Sequence, residues 1–134
     1  MNALRTLHTA LRPQGVLLDI HPEPHHSLVE IRRGHQTLSV GQVDQTQDTG
    51  EIISARAALH QVIDEGYFVA ERELTFDFVR HFDSVDSWLA FRAERKSSGT
   101  IAQEVLACSR ALLAEAPGEL CVRRSIRAAR YRRA

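Results

Sequence analysis

An α/β fold, in which helices flank a mixed sheet that carries a β-hairpin insertion, is predicted by three features of the sequence. Apolar residues recur at helical spacing in four segments. A short run that is apolar on both faces, GVLLDI, is bounded by Gly15 and Pro22, which is typical of a strand covered on both sides in a parallel sheet. A longer segment from Tyr67 alternates apolar and polar residues, as a half-buried strand does.

Composition limits the class of protein. The 134 residues are 43% hydrophobic and 25% charged, which predicts one globular domain over 1–134. No run approaches the ~20 apolar residues of a membrane helix, and the first residues lack a secretory pattern, so we expect a cytoplasmic protein without a membrane partner. The net charge is zero, which argues against nucleic acid, although arginine is concentrated over 121–134.

The first half of the chain predicts a helix, a strand and a hairpin. Leu4, Leu7 and Leu11 form one face of a helix over 2–12. GVLLDI predicts the strand, over 15–21. Two β-rich runs around Gly34 predict the hairpin over 27–43.

The next segments alternate between helix and strand. A helix over 49–65, capped by Asp48 or Thr49, carries the apolar stripe Ile52, Ile53, Leu59, Val62 and Ile63. The strand over 67–82 places Leu74, Phe76, Phe78 and Phe82 on one face, where we expect them in the core.

The last third predicts helices over 84–97 and 100–116, the first capped by Asp83 or Ser84 and packed through Val85, Trp88 and Leu89. The final segment could form a helix, but its alternation favours a strand over 119–132. Cys108 and Cys121 lack a metal-ligand spacing and are interpreted as buried apolar residues rather than a disulfide.

The opening stretch, ALRTLHTALRPQGVLLDI, resembles the helix, Leu-Arg-Pro-Gly-Gly turn and fifth strand of class I S-adenosylmethionine-dependent methyltransferases, with the turn at 11–15. The resemblance extends over nearly the whole chain. Segments 67–82 and 119–132 would correspond to the sixth strand and to a seventh that turns back antiparallel between the fifth and the sixth. The resemblance implies the C-terminal half of a Rossmann-like domain, truncated before its cofactor half.

The same resemblance implies that no cofactor is held. In that family the first strand, its Gly-x-Gly-x-Gly loop and the acidic residue ending the second strand hold the cofactor, and these elements would precede Met1. None of the seven glycines lies in a Gly-rich turn between a strand and a helix. We therefore expect S-adenosylmethionine only if a partner chain supplies the missing half.

A missing fourth strand would leave the strand at 15–20 with an open apolar edge, which invites pairing. Three elements could cover it: the 27–43 hairpin, a second copy of the chain, or a separate cofactor-binding chain. We favour the second copy because two-fold homodimers are the commonest assembly. A homodimer through the 15–20 edge, with the 27–43 hairpin as a further contact, is the expected partner arrangement.

The stretch HPEPHH offers candidate ligands in His21, Glu23 and His25, with His26 beside them. Zinc takes such residues, but no second cluster completes a shell, so a polar loop at the carboxyl end of a strand is favoured. His81, with Asp83 two residues on, is a weaker acid/base candidate because Asp83 suits a helix cap better.

Three functions follow from these observations. The favoured one is a methyltransferase-like module that is not an enzyme on its own and acts as a dimeric binding or regulatory protein. The second is the substrate-side subunit of a split S-adenosylmethionine-dependent methyltransferase. The third is a small-molecule or metal-binding protein that uses the loop 21–26.

Overall fold

A computed structural model describes residues 3–134, and the predicted α/β class is confirmed. Over these residues the chain forms four helices and six strands. In chain order they are α1 (Ala3–Ala10), β1 (Val16–Pro22), β2 (Ser27–Arg33), β3 (Gln36–Asp44), α2 (Thr46–Asp64), β4 (Phe68–Phe82), α3 (Val85–Arg95), β5 (Thr100–Ile101), α4 (Gln103–Glu115) and β6 (Glu119–Arg133).

The contacts divide the chain into two compact units. Of the described residues, the first comprises 3–24, 50–76 and 126–134, and the second comprises 25–49 and 77–125. The helix α2 and the long strands β4 and β6 each contribute residues to both units, so each unit is described separately below.

In the first unit, β6 lies between two other strands. β1 pairs antiparallel with it, from Val16 opposite Arg132 to Pro22 opposite Ile126. β4 also pairs with β6, and since β1 and β4 reach the same part of β6, they occupy its two edges. The core of this unit contains Leu59, Val62, Phe68, Ala129 and Tyr131.

In the second unit, the β2–β3 hairpin turns at Gly34, whose φ of 55° is easily reached only by glycine. β2 pairs antiparallel with the first part of β6, from Leu28 opposite Arg123 to Arg32 opposite Glu119. The short β5 pairs with the end of β3. The core contains Val29, Ile31, Val43, Val85, Trp88, Val105, Leu106 and Leu120.

The strand β1 is less covered than predicted. Its antiparallel ladder with β6 agrees with the expected direction of the last strand, but Leu18 and Ile20 on its even-numbered face are 65% and 63% exposed. A run of apolar residues on both faces therefore does not mean that both faces are covered. The hairpin does not pair with β1. Its strand β2 pairs with residues 119–123 of β6 instead.

Several predicted core positions are exposed. Leu74, Phe76 and Phe78 on β4 are exposed, whereas Phe82 packs against the core of the second unit. Ile53 is exposed on α2, and Cys108 is exposed while Cys121 is buried. Periodicity reports that side chains share a face, but not that another element covers that face.

Two helix starts, those of α2 and α4, also differ from their predictions, whereas one of the two predicted caps of α3 is confirmed. α2 begins at Thr46, whose backbone N–H and hydroxyl both donate to Asp44, so the helix starts ahead of Asp48 and Thr49. Ser84 rather than Asp83 caps α3, through a reciprocal capping box with Ser87. The helix predicted over 100–116 begins at Gln103, after the two residues of β5.

Candidate functional site

The polar residues of the HPEPHH stretch bind separate partners. In the first unit, Glu23 accepts a hydrogen bond of 2.9 Å from Arg56 on α2. In the second unit, Nδ1 of His26 accepts the backbone N–H of Gln45 at 2.9 Å, and His25 lies in a bend. Glu23 thus contacts helix α2, and His26 contacts the residue just before that helix. Both contacts give the loop a structural role.

His21 has a different environment, in a cavity of the first unit. The cavity has a volume of about 350 Å³ and lies between α1, α2 and β1. Most of its lining is apolar, and the polar exceptions are Asp19 and His21 on β1. Its lining residues are Ala3, Leu4, Leu7, Leu17, Asp19, His21, Ala55, Ala58 and Leu59.

Asp19 and His21 form a dyad in this cavity. They are two residues apart on a strand, so they share a face, and Oδ2 of Asp19 lies 2.9 Å from Nδ1 of His21. Arg127 adds a positive charge 3.7 Å from the same carboxylate. Among the described atoms, Nε2 of His21 is buried without a hydrogen-bond partner. With the proton on Nδ1, beside the carboxylate, Nε2 is left to accept a hydrogen bond from a bound molecule.

A second groove of the first unit is lined largely by charged residues, of which Glu71, Glu73 and Arg127 form ion pairs. It has a volume of about 450 Å³ and includes His60, Asp64, Arg72 and Arg127 in its lining. Arg127 donates to Glu73 and to the hydroxyl of Tyr131, 3.2 Å away. The Arg127 guanidinium therefore links β4 to β6.

In the second unit, His81 lies with Glu119 and Cys121 rather than acting with Asp83. Nδ1 of His81 is 3.2 Å from Oε1 of Glu119 and 3.3 Å from Sγ of Cys121. Burial raises the pKa of the Cys121 thiol, and the nearby charges of Arg32 and Glu119 act in opposite directions on that pKa. Over residues 3–134, these three form the one group of histidine, cysteine and acidic side chains close enough to share a metal ion.

An open apolar surface occupies one face of the first unit's sheet. A shallow groove of about 190 Å³ is lined there by Leu18 and Ile20 of β1, Leu74 of β4 and Ala128 of β6, with Arg72, Glu73, Ala129 and Arg130 completing it. Within the described part of the chain, β1 is also the end of the sheet, with β6 as its neighbour. We call Val16, Leu18, Ile20 and the outer edge of β1 the β1 surface.

No family model, curated protein or solved structure matches this chain. Among the described helices, none combines the length and apolar character needed to cross a membrane. The assignment of function therefore depends on the geometry of the chain itself.

Sequence reasoning named His21 and His81 but missed the residues that give each its environment. Asp19 was not considered because it lies within an apolar run. Its spacing of two residues from His21 on a predicted strand does indicate that the two side chains share a face. Glu119 and Cys121 show the same spacing at the start of β6. Their neighbour His81 comes from another strand, so only the pairing of β4 with β6 brings the three together.

Proposed function

We propose that the chain is a methyltransferase-like module that lacks its own cofactor site and acts as a dimeric binding or regulatory protein. The arrangement of β1, β6 and β4 supports this proposal. The terminal strand β6 lies between β1 and β4, the position that the resemblance assigns to the seventh strand.

Side-chain pairs support the antiparallel direction of β4. Glu71 of β4 contacts Arg130 and Arg132, each at 2.8 Å, and Glu73 contacts Arg127. Residue numbers rise along β4 as they fall along β6, so the strands run in opposite directions. Since β1 is also antiparallel to β6, β1 and β4 run the same way, as the fifth and sixth strands of the family do.

The observation that carries the partner-binding function is the β1 surface. Leu18 and Ile20 are exposed on a strand that ends the described sheet. An apolar strand edge of this kind is a template for pairing with another strand. A strand from a second molecule would cover the edge and place its own side chains beside Leu18 and Ile20 on the apolar face.

A second copy of the chain fits this surface. About a two-fold axis at Leu18, an antiparallel β1 pair places Leu18 opposite its copy and Val16 opposite Ile20 of the second copy. The polar residue of the strand centre, Asp19, points to the other face, where the Arg127 cation of its own chain lies 3.7 Å from its carboxylate. The contact therefore brings apolar side chains together without burying an unpaired charge.

Sedimentation analysis of the mass in solution tests the proposal. We expect twice the 15.1 kDa chain mass for the wild type and the chain mass for Leu18→Lys and Ile20→Lys, since lysine on an edge strand blocks pairing. Ile53→Lys is the matched control, because Ile53 is 54% exposed on α2 and should leave the dimer intact. Circular dichroism checks that each variant is folded.

A monomeric wild type would refute the dimer, and a dimer that both β1 variants leave intact would refute the β1 surface as its interface. Calorimetric titration of S-adenosylmethionine tests the other half of the proposal. We expect no binding heat from the chain, and binding by the isolated chain would contradict a module without a cofactor site. A chain that stays monomeric and gains cofactor binding only with a second polypeptide would favour the split-methyltransferase alternative.

A second candidate function, small-molecule binding at His21, is favoured by the unpartnered Nε2 in an apolar cavity. Such a cavity suits an apolar molecule with one hydrogen-bond donor. Phenol is a suitable probe, and toluene is a control of similar size without the hydroxyl. We expect phenol to shift the NMR signals of α1, α2 and β1 more strongly than toluene does, and His21→Phe to remove this difference. Equal shifts by both probes would count against a role for His21.

A further inference from the structure

We propose that His81, Glu119 and Cys121 bind a zinc ion. The three side chains come from adjacent strands of the second unit, and the site does not depend on the β1 surface or on the cavity at His21. Nothing in the sequence pattern alone assembles it, because His81 is about forty residues from the other two.

The strands explain why the side chains meet. Glu119 and Cys121 are two residues apart at the start of β6, so they project from the same face of the strand. His81 lies near the end of β4, which pairs with β6. Asp77 of β4 contacts Arg123 of β6 at 3.1 Å in the same unit, so the numbering again runs in opposite directions and brings His81 to Glu119. Three donor atoms are thus placed by sheet pairing rather than by flexible loops.

Two of the three donor separations match a tetrahedral ion. Zinc bonds of about 2.0–2.3 Å imply about 3.3–3.7 Å between neighbouring donor atoms of a tetrahedron. The distances from Nδ1 of His81 to Oε1 of Glu119 and to Sγ of Cys121 are 3.2 and 3.3 Å. All three donor atoms lie within 4.8 Å of one another. For one ion to bind all three side chains, the remaining separation, between the Glu119 oxygen and Cys121 Sγ, must also lie near the tetrahedral value.

The donor set selects the metal. A thiolate, an imidazole and a carboxylate together suit zinc, whereas calcium and magnesium prefer oxygen donors alone. His81 and Glu119 are each about two-fifths exposed in their side chains, so water can reach the ion and occupy a fourth position. The site has the form of three protein ligands and one solvent ligand.

The surrounding charges accommodate the ion. Cys121 lies opposite Glu30 in the β2–β6 ladder, and Glu119 lies opposite Arg32. Arg123, which also acts on the thiol, is held by Glu30 and Asp77. When zinc binds, the Cys121 thiol loses its proton to solvent and its sulfur electron pair forms the bond to the metal. The positive charge of the zinc ion is balanced by the Cys121 thiolate and the Glu119 carboxylate, which bind the ion directly.

Titration with Co²⁺, which replaces zinc in tetrahedral sites and has visible absorption, tests the proposal. We expect one Co²⁺ per chain, a sulfur-to-cobalt charge-transfer band, and displacement of Co²⁺ by Zn²⁺. Cys121→Ser should lose the band, and Cys108→Ser should keep it, because Cys108 is the matched exposed cysteine. His81→Ala and Glu119→Gln should each weaken binding by at least about tenfold.

A second measurement needs no variant. Zn²⁺ should protect Cys121 of the wild-type chain from a thiol reagent in mild denaturant, while Cys108 continues to react. Absence of the cobalt band in the folded wild type, or a band that survives Cys121→Ser, would overturn the proposal. So would protection of Cys108 in place of Cys121.

Discussion

Gly41 on β3 provides a sharp test of the packing in the second unit. A Cβ added at Gly41 would lie 2.6 Å from Cγ2 of Val105 on α4, closer than nonbonded carbon atoms approach. The atom in the way belongs to a short β-branched side chain that has little freedom to move. We therefore expect Gly41→Ala to reduce the free energy of unfolding by about 1–3 kcal/mol, the usual cost of overpacking.

Gly50 is the matched control. It lies inside α2, and a Cβ added there meets nothing within 4 Å. Gly50→Ala should raise the free energy of unfolding by about 0.5–1 kcal/mol, because alanine loses less backbone entropy in a helix. The same chemical change is thus expected to have opposite signs at the two positions, as measured by urea unfolding followed by circular dichroism.

A double-mutant cycle identifies the cause. Val105→Ala removes the methyl group that the new Cβ meets, so Gly41→Ala should cost less in that background, by about 0.5–3 kcal/mol of coupling. If the two changes are additive, or if Gly41→Ala alone is neutral, the close approach of β3 to α4 is not what requires glycine.

Three further predictions concern the caps and the cysteines. Ser84→Ala should lower the free energy of unfolding by about 1 kcal/mol through loss of the α3 cap, whereas Asp83→Ala should change it by less than about 0.5 kcal/mol in the same denaturation assay. Cys108 should react quickly with a disulfide reagent at neutral pH and Cys121 only on unfolding, since burial raises the pKa of Cys121; equal rates would contradict this. The hydrogen bonds from the hydroxyl and N–H of Thr46 lower the pKa of Asp44. The stability that the Asp44 carboxylate contributes is therefore present above the pKa of unfolded Asp and disappears as the pH falls through the lower folded value. An NMR titration should show that Thr46→Val raises the pKa of Asp44.

Local patterns identified the positions of the main elements well. The alternation in ELCVRRSIRAARYRR favoured a strand over a helix, and this segment is β6. Gly34 marked the hairpin turn, and Val85 and Trp88 were named as the packing face of α3, where both are buried. These features depend on the backbone and on neighbours a few residues away, which a sequence displays directly.

The candidate sites were predicted less completely. His21 was named, but its dyad partner Asp19 and the cavity formed with α1 and α2 depend on packing between distant segments. His81 was considered only with Asp83, its neighbour in sequence, and that pair was given less weight than a helix cap, whereas the paired strands bring His81 to Glu119 and Cys121. Chain neighbours are visible in a sequence, but strand partners are set by the whole sheet.

The sequence by itself determined where helices, strands and turns form, because hydrophobic period, glycine and capping residues act over a few residues of backbone. The tertiary structure alone decided which apolar faces are covered. Leu18, Phe76 and Phe78 satisfy the same periodic patterns as buried residues, yet they are exposed. Burial depends on whether another element packs over a face, and that is a property of strand order and helix placement rather than of any local pattern.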